Sequence, residues 1–173
     1  MKFRRIASGL IAAGLLLAAG VGAFAHPAPR HAVSKFLAVN AKAKTVTLTI
    51  LAGDGGNNGG MNFNGYSKGQ MVITVPVGWT VDVAFKNEGS LPHSVVFDAW
   101  NAPLTSTTVK PVFAGATSPN PITGTPTGGS AKFHFKAAKV GKYRMICAFP
   151  GHAAIGMWDT FVVAKGGAPS IKF

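Results

Sequence analysis

One cysteine, two histidines and a methionine carry the chemistry of this chain. Cys147 is the only cysteine among 173 residues. It opens the run Cys147-Ala148-Phe149-Pro150-Gly151-His152-Ala153-Ala154-Ile155-Gly156-Met157, a Cys-x4-His-x4-Met spacing. His93 lies 54 residues upstream, in Leu91-Pro92-His93-Ser94. Thiolate and imidazole make short, strong bonds in a trigonal plane, and a thioether adds a weak, long axial contact. That donor set suits one copper cycling between Cu(I) and Cu(II). The metal itself drives the thiol to give up its proton. A rigid frame with a geometry acceptable to both oxidation states lets an electron move with little reorganisation. The lone thiol excludes an internal disulfide, a zinc site of several cysteines, an iron–sulfur cluster held by four cysteines and a binuclear copper pair bridged by two cysteines. With 5 Asp+Glu in all, few candidates remain for paired-carboxylate catalysis.

Short strands must position these residues. Thr45–Leu51 alternates threonine with Val, Leu and Ile, the period of a half-buried strand. Met61–Tyr66 and Gln70–Val75 read as extended, and Pro76-Val77-Gly78-Trp79 as a turn. Thr80–Lys86 sets Val81, Val83 and Phe85 on one face. His93–Phe97, Ala131–Lys136, Lys142–Cys147 and Trp158–Ala164 complete the strands, and part of Ala32–Asn40 reads as a short helix. Seven or eight strands with almost no helix predict an all-β, Greek-key β-sandwich or barrel. Cys147 then ends a strand on the inward Tyr143/Met145 face, and Pro150-Gly151 turns the chain back to bring His152 near the surface. The small and apolar residues around His152 predict a flat apolar patch, the route for electrons. Ser94 is placed to reach the thiolate or to orient the ligand loop. Ala99–Ser130, at 32 residues, exceeds an ordinary connection and either caps the metal end or covers a sheet edge.

Other candidates have plainer readings. Met61, Met71 and Met145 sit in strands as core residues. His134 alternates outward among lysines. Gly53–Gly60 lacks the strand–loop–helix setting of a phosphate cradle. His26 would become an N-terminal copper chelator after processing, but its best partner from the fold, His93, belongs to the Cys147 cluster; His31 and His134 do not make up a catalytic copper site.

Residues 1–25 read as a secretory signal peptide: Lys2, Arg4 and Arg5, then the apolar Ile6–Phe24, then Ala23-Phe24-Ala25 as a small-x-small cleavage pattern. An uncleaved anchor is the alternative, giving membrane association through this segment. Residues 26–44 form a Pro-, Ala- and then Lys-rich extension, and 45–173 the folded domain. The protein is thus expected outside the cytoplasm, in the periplasm or an equivalent space, where burial as a metal ligand protects a free thiol from oxidation. The formal charge of +12, from 17 Lys+Arg against 5 Asp+Glu, falls to +9 once the three leader bases are removed. The lysines are scattered without an aromatic–basic stripe, so nucleic acid is not the expected partner. An acidic redox partner or adaptation to acid accounts better for the scarcity of carboxylates.

The ligand loop Cys147/His152/Met157 with His93 resembles that of the type 1 blue copper proteins, the cupredoxins. Its x4/x4 spacing is similar to the long-loop members such as rusticyanin, auracyanin and sulfocyanin. Met61-Asn62-Phe63-Asn64-Gly65-Tyr66 and the stretch Gly151–Trp158 most resemble sulfocyanin, and the likeness runs over roughly 45–163. The resemblance implies a cupredoxin fold, one mononuclear copper, and a non-enzymatic one-electron carrier in a respiratory chain, meeting a cytochrome or a terminal oxidase. The leader departs from the family: it looks cleavable, where a sulfocyanin can be membrane-anchored. A copper chaperone or sensor using the same ligands is the alternative function.

Overall fold

The period-two pattern of Thr45–Ala52 makes a strand that buries Val46, Leu48, Ile50 and Ala52 and turns its threonines away from the core. The computed structural model describes residues 34–104 and 108–173. Among them it has nine strands and no α-helix: β1 (Leu37–Asn40), β2 (Thr45–Ala52), β3 (Val72–Pro76), β4 (Thr80–Asn87), β5 (Val96–Ala99), β6 (Ser130–Lys136), β7 (Gly141–Ile146), β8 (Trp158–Ala164) and β9 (Ser170–Lys172). They form two sheets, β1-β2-β4-β6 and β5-β7-β8-β3-β9. The β2–β4 and β3–β8 pairs are parallel and the others antiparallel. The expected Greek-key β-sandwich is the fold.

The expectation differs from the structure at the edges. Leu37–Asn40 is a strand paired with β2 rather than a helix, because Leu37 reaches into the core while β2 offers a free edge. Met61–Tyr66 makes only isolated bridges, through Phe63, while the Asn62 amide donates to the Asn57 carbonyl of the preceding loop and the Asn64 amide to the Thr49 carbonyl of β2. Ser170–Lys172 adds a short edge strand on β3. The leader reading of 1–25, together with His26 and His31, lies outside the described residues.

Both sheets send aromatic rings inward. Phe97 stands 4.6 Å from Phe135 and 4.8 Å from Phe161, with edge-to-face or tilted rings. The long connection between β5 and β6 enters this core: Phe113 stacks on Phe135 at 5.6 Å. The same connection also covers the outer face of the second sheet, where Leu104, Val109 and Ile122 pack on Val96, Ile146, Ala148 and Ala153. Met145 in β7 is fully buried and His134 in β6 is exposed, as expected; Met71 is fully buried but lies one residue before β3, and Met61 lies outside the strands, half-buried against the core.

Candidate metal centre

Cys147 is the first residue past β7 and keeps the inward phase of Met145, so its sulfur is buried in the main core. The loop that follows is held by backbone turns. The His152 N–H donates to the Phe149 carbonyl (3.1 Å), the Met157 N–H to the His152 carbonyl (2.9 Å) and the Cys147 N–H to the Met157 carbonyl (3.1 Å). Gly151 takes a φ of 84°, the left-handed conformation that turns the chain back after Pro150. These bonds tie Cys147, His152 and Met157 into one closed loop. Met157 is fully buried.

His93 comes from the other side, just before β5. Its N–H donates to the Thr125 carbonyl (3.1 Å) and its carbonyl accepts the Thr125 N–H (2.7 Å), so the long connection grips its backbone directly. The ring packs against Gly89, where a Cβ would stand 2.8 Å from Nε2. That close approach leaves Nδ1 as the nitrogen that faces the site.

His93, Cys147 and His152 converge. Their donor atoms are separated by 3.2 Å (Nδ1 to Nδ1), 3.8 Å (His93 Nδ1 to Sγ) and 3.5 Å (His152 Nδ1 to Sγ). A metal with bonds of about 2.1 Å to imidazole nitrogen and about 2.3 Å to thiolate sulfur fits inside a triangle whose sides are about 3–4 Å. The residues therefore fit a trigonal metal. All three are buried, at 1%, 1% and 5% exposure for His93, Cys147 and His152. His152 is more enclosed than expected for a surface ligand, because the Phe149 ring lies 4.6 Å from its own. Of the residues expected around His152, Ile155 is 56% exposed while Ala153 is buried; Leu91, two residues before His93, is 44% exposed.

Burial pushes the His93 pKa down to about 4, with His152 adding to the effect, and burial also lowers that of His152. Both imidazoles are thus neutral and ready to ligate at pH values where an exposed histidine is protonated. Burial raises the Cys147 thiol, opposed by the backbone N–H groups of Ser94 and Phe149 and by the Ser94 hydroxyl. Without a metal the thiol keeps its proton; a bound cation displaces it. The Ser94 N–H points at Sγ from 3.4 Å, and the Ser94 hydroxyl accepts the Ala148 N–H at 2.9 Å while lying 3.9 Å from the sulfur. Ser94 therefore both orients the loop and touches the thiol.

Asn87 is a functional residue that sequence reasoning missed. It is fully buried; its amide donates to the Leu91 and Thr125 carbonyls (2.8 and 2.9 Å) and accepts the Gly89 N–H (2.9 Å). It locks the turn that delivers His93. A signal was present, since Asn87 continues the inward series Val81, Val83, Phe85 as its one polar member.

A β-sandwich that brings two imidazole nitrogens and one thiol together at its rim, with a methionine closing the same loop, is a cupredoxin, the class of the blue copper proteins, whose cofactor is one copper. Within that class the chain belongs to the sulfocyanin family, whose domain model, the sulfocyanin (SoxE) domain, matches residues 32–169. It is 38% identical over 129 residues to sulfocyanin from Sulfolobus acidocaldarius, a match covering 70% of this chain and 65% of that protein. It is 31% identical over 104 residues to rusticyanin from Acidithiobacillus ferrooxidans, covering 59% of this chain and 66% of the relative. The matches thus span just under two thirds of each relative. The fold superposes on dithionite-reduced auracyanin from the photosynthetic bacterium Roseiflexus castenholzii with a TM-score of 0.51 and 26% identity, over 68% of this chain and 96% of the other.

Proposed function

We propose that this protein is a one-electron carrier whose single copper is held by His93, Cys147, His152 and Met157. The observation that carries the reading is the convergence of His93 Nδ1, His152 Nδ1 and Cys147 Sγ within 3.2–3.8 Å of one another, inside a rigid core. Bound there, copper supplies a couple between Cu(I) and Cu(II). The protein holds the three donors in place before the metal arrives: Asn87 and Thr125 fix His93, the loop's backbone bonds fix His152, and Ser94 fixes the sulfur. Donors that are held by the fold rather than by the metal have little freedom to rearrange when charge changes, which favours fast exchange. Phe149, whose ring lies 4.6 Å from that of His152, shields that imidazole from water, and His152 is the ligand through which electrons pass.

The alternative, a copper chaperone or sensor, is less well supported. Hand-off requires ligands that a partner can displace, and Cys147 and His93 are each 1% exposed. The respiratory setting, an extracytoplasmic location and a cytochrome or terminal-oxidase partner belong to the same proposal; the positive start and the apolar Ile6–Phe24 support the extracytoplasmic location.

Copper loading tests the reading. The expected product absorbs intensely in the red part of the visible spectrum, from thiolate-to-copper charge transfer, and exchanges electrons rapidly. Cys147→Ser loses that band altogether. A copper-loaded wild-type protein without the band overturns the proposal, and a blue protein whose copper passes readily to chelators while electron exchange stays slow selects the handling role.

A further inference from the structure

Lys142 and Arg144 leave the outer face of β7 and meet a pair of indoles. Lys142 Nζ stands 3.7 Å from the centre of the Trp100 ring. The Arg144 guanidinium carbon lies 4.9 Å from Trp100 and 5.2 Å from Trp158. The two indoles cross edge to face, 6.1 Å apart at 84°. Arg144 Nη1 donates to the Ala102 carbonyl at 3.0 Å, whereas its Nε–H is buried with no acceptor among the described residues. Lys142 is exposed and Trp100 half-buried. Asp98 faces Arg144 across the β5–β7 pair and attracts its charge, though Asp98 is buried, with Oδ1 taken by the Ala99 N–H.

Neither cation touches the candidate ligands, yet the indoles are wired to them. Trp158 directly follows Met157, and it pairs across the sheet with Ile146, the residue before Cys147. The Cys147 N–H also donates to the Met157 carbonyl. Two short routes of covalent and hydrogen bonds therefore join the sulfur to Trp158, and ring contact continues to Trp100.

We propose that Trp100, Lys142, Arg144 and Trp158 form a second docking surface, separate from the face at His152, that receives an acidic one-electron redox protein. Charge selects the partner: the chain has 17 basic residues against 5 acidic ones, and two of its cations are already stacked in place here. Stacking on indole pre-orders these long side chains, so less rotamer freedom is lost when a partner's carboxylates meet them. Tryptophan and arginine are also the residue types that dominate binding energy at interfaces. The inference rests on the electron-carrier reading. In each encounter one electron passes from the reduced site to the partner's oxidised centre, which is reduced by one. No bond forms or breaks, and the indoles act as a bridge without being oxidised themselves.

Hexacyanochromate(III), a redox-inert paramagnetic trianion standing in for the partner's carboxylates, maps the surface by NMR on the reduced, copper-loaded full chain. The expected result is line broadening strongest at the Trp100 indole and the Lys142–Arg144 amides, removed by Lys142→Glu. Broadening spread over the scattered lysines, or confined to the Leu91/Ile155 face, overturns the proposal. Electron exchange with hexacyanoferrate(III) is the second arm. Lys142→Glu and Trp100→Leu slow it several-fold with the visible band unchanged; rates equal to wild type overturn the inference alone. A wild-type protein that is blue but exchanges no electrons overturns the carrier reading instead, while the anion map still judges the surface.

Discussion

Ser94 touches the sulfur in two ways that differ in consequence. Its backbone N–H, 3.4 Å from Sγ, survives any substitution except proline, whereas its hydroxyl, 3.9 Å away, does not. Hydrogen bonding around the cysteine sulfur tunes the potential of such sites, because a donor withdraws charge from the thiolate and disfavours Cu(II). Ser94→Ala should lower the reduction potential. A hydrogen bond is worth about 0.5–1.5 kcal/mol, which for one electron is about 20–60 mV. Cyclic voltammetry of the copper-loaded variant measures the shift, and an unchanged potential assigns the tuning to the backbone N–H alone. The ligand residues themselves were legible from type and spacing, since Cys, His and Met at x4/x4 intervals after a strand are a sparse pattern. The choice of Nδ1 over Nε2 on His93 was not, because Gly89 decides it and lies next to the ring only in the folded chain.

Among the elements, the connection between β5 and β6 does more than link two strands. It places Phe113 in the core, covers Val96 and Ile146 from outside and pairs Thr125 with His93. The two alternatives anticipated for it, capping the metal end and covering a sheet edge, are not exclusive: Thr125 bridges to His93, and Thr117 bridges to Val96 on the edge strand β5. Its sequence shows no period because its residues alternate between two separate apolar clusters and a hydrogen-bonding seam. Asn87 fastens that seam to the end of β4. Asn87→Ala takes the partner from the buried Gly89 N–H and from the Leu91 carbonyl and leaves the Thr125 carbonyl with the His93 N–H alone, and an unsatisfied buried group costs about 1–3 kcal/mol. The variant is expected to lose about 2–4 kcal/mol of stability in urea unfolding and to release copper faster to a chelator. Copper release at the wild-type rate in a destabilised variant would show that the turn supports the sandwich without positioning His93.

At the scale of the whole molecule, the scarcity of acids bears on pH. Two of the five carboxylates are buried: burial raises the Asp98 pKa, and it raises that of Asp159 to about 7 against the N–H groups of Met71 and Gly69. The Oδ2 atom of Asp159 is buried without a partner among the described residues, a position that suits a protonated carboxyl. A carboxyl raised from 3.8 to about 7 contributes stability that is fully present below pH 3.8 and is lost as pH rises through 7. The buried imidazole of His93 works the other way: lowered from 6.5 to about 4, its contribution is present above pH 6.5 and is lost as pH falls through 4. Asp159→Asn isolates the first effect, because the histidine contribution is common to both proteins. Urea unfolding of the metal-free proteins should show the variant gaining on wild type as pH rises from 4 to 7, by up to about 1.4 kcal/mol per pH unit. A difference that stays constant with pH would mean that Asp159 is ionised throughout.

The sequence alone determined the strand periodicity, the all-β sandwich and the four candidate ligands, because each depends on residue type and short-range spacing. Only the tertiary structure decided how they meet. Closure of the two sheets brings His93 across 54 residues to Cys147, drives the donors into a core dry enough to hold both imidazoles neutral, and recruits Asn87 and Thr125 to hold them. It also sets Trp100 against Trp158 and the basic side chains of β7. Burial and long-range hydrogen bonds are properties of the packed chain, and no local pattern of residues encodes them.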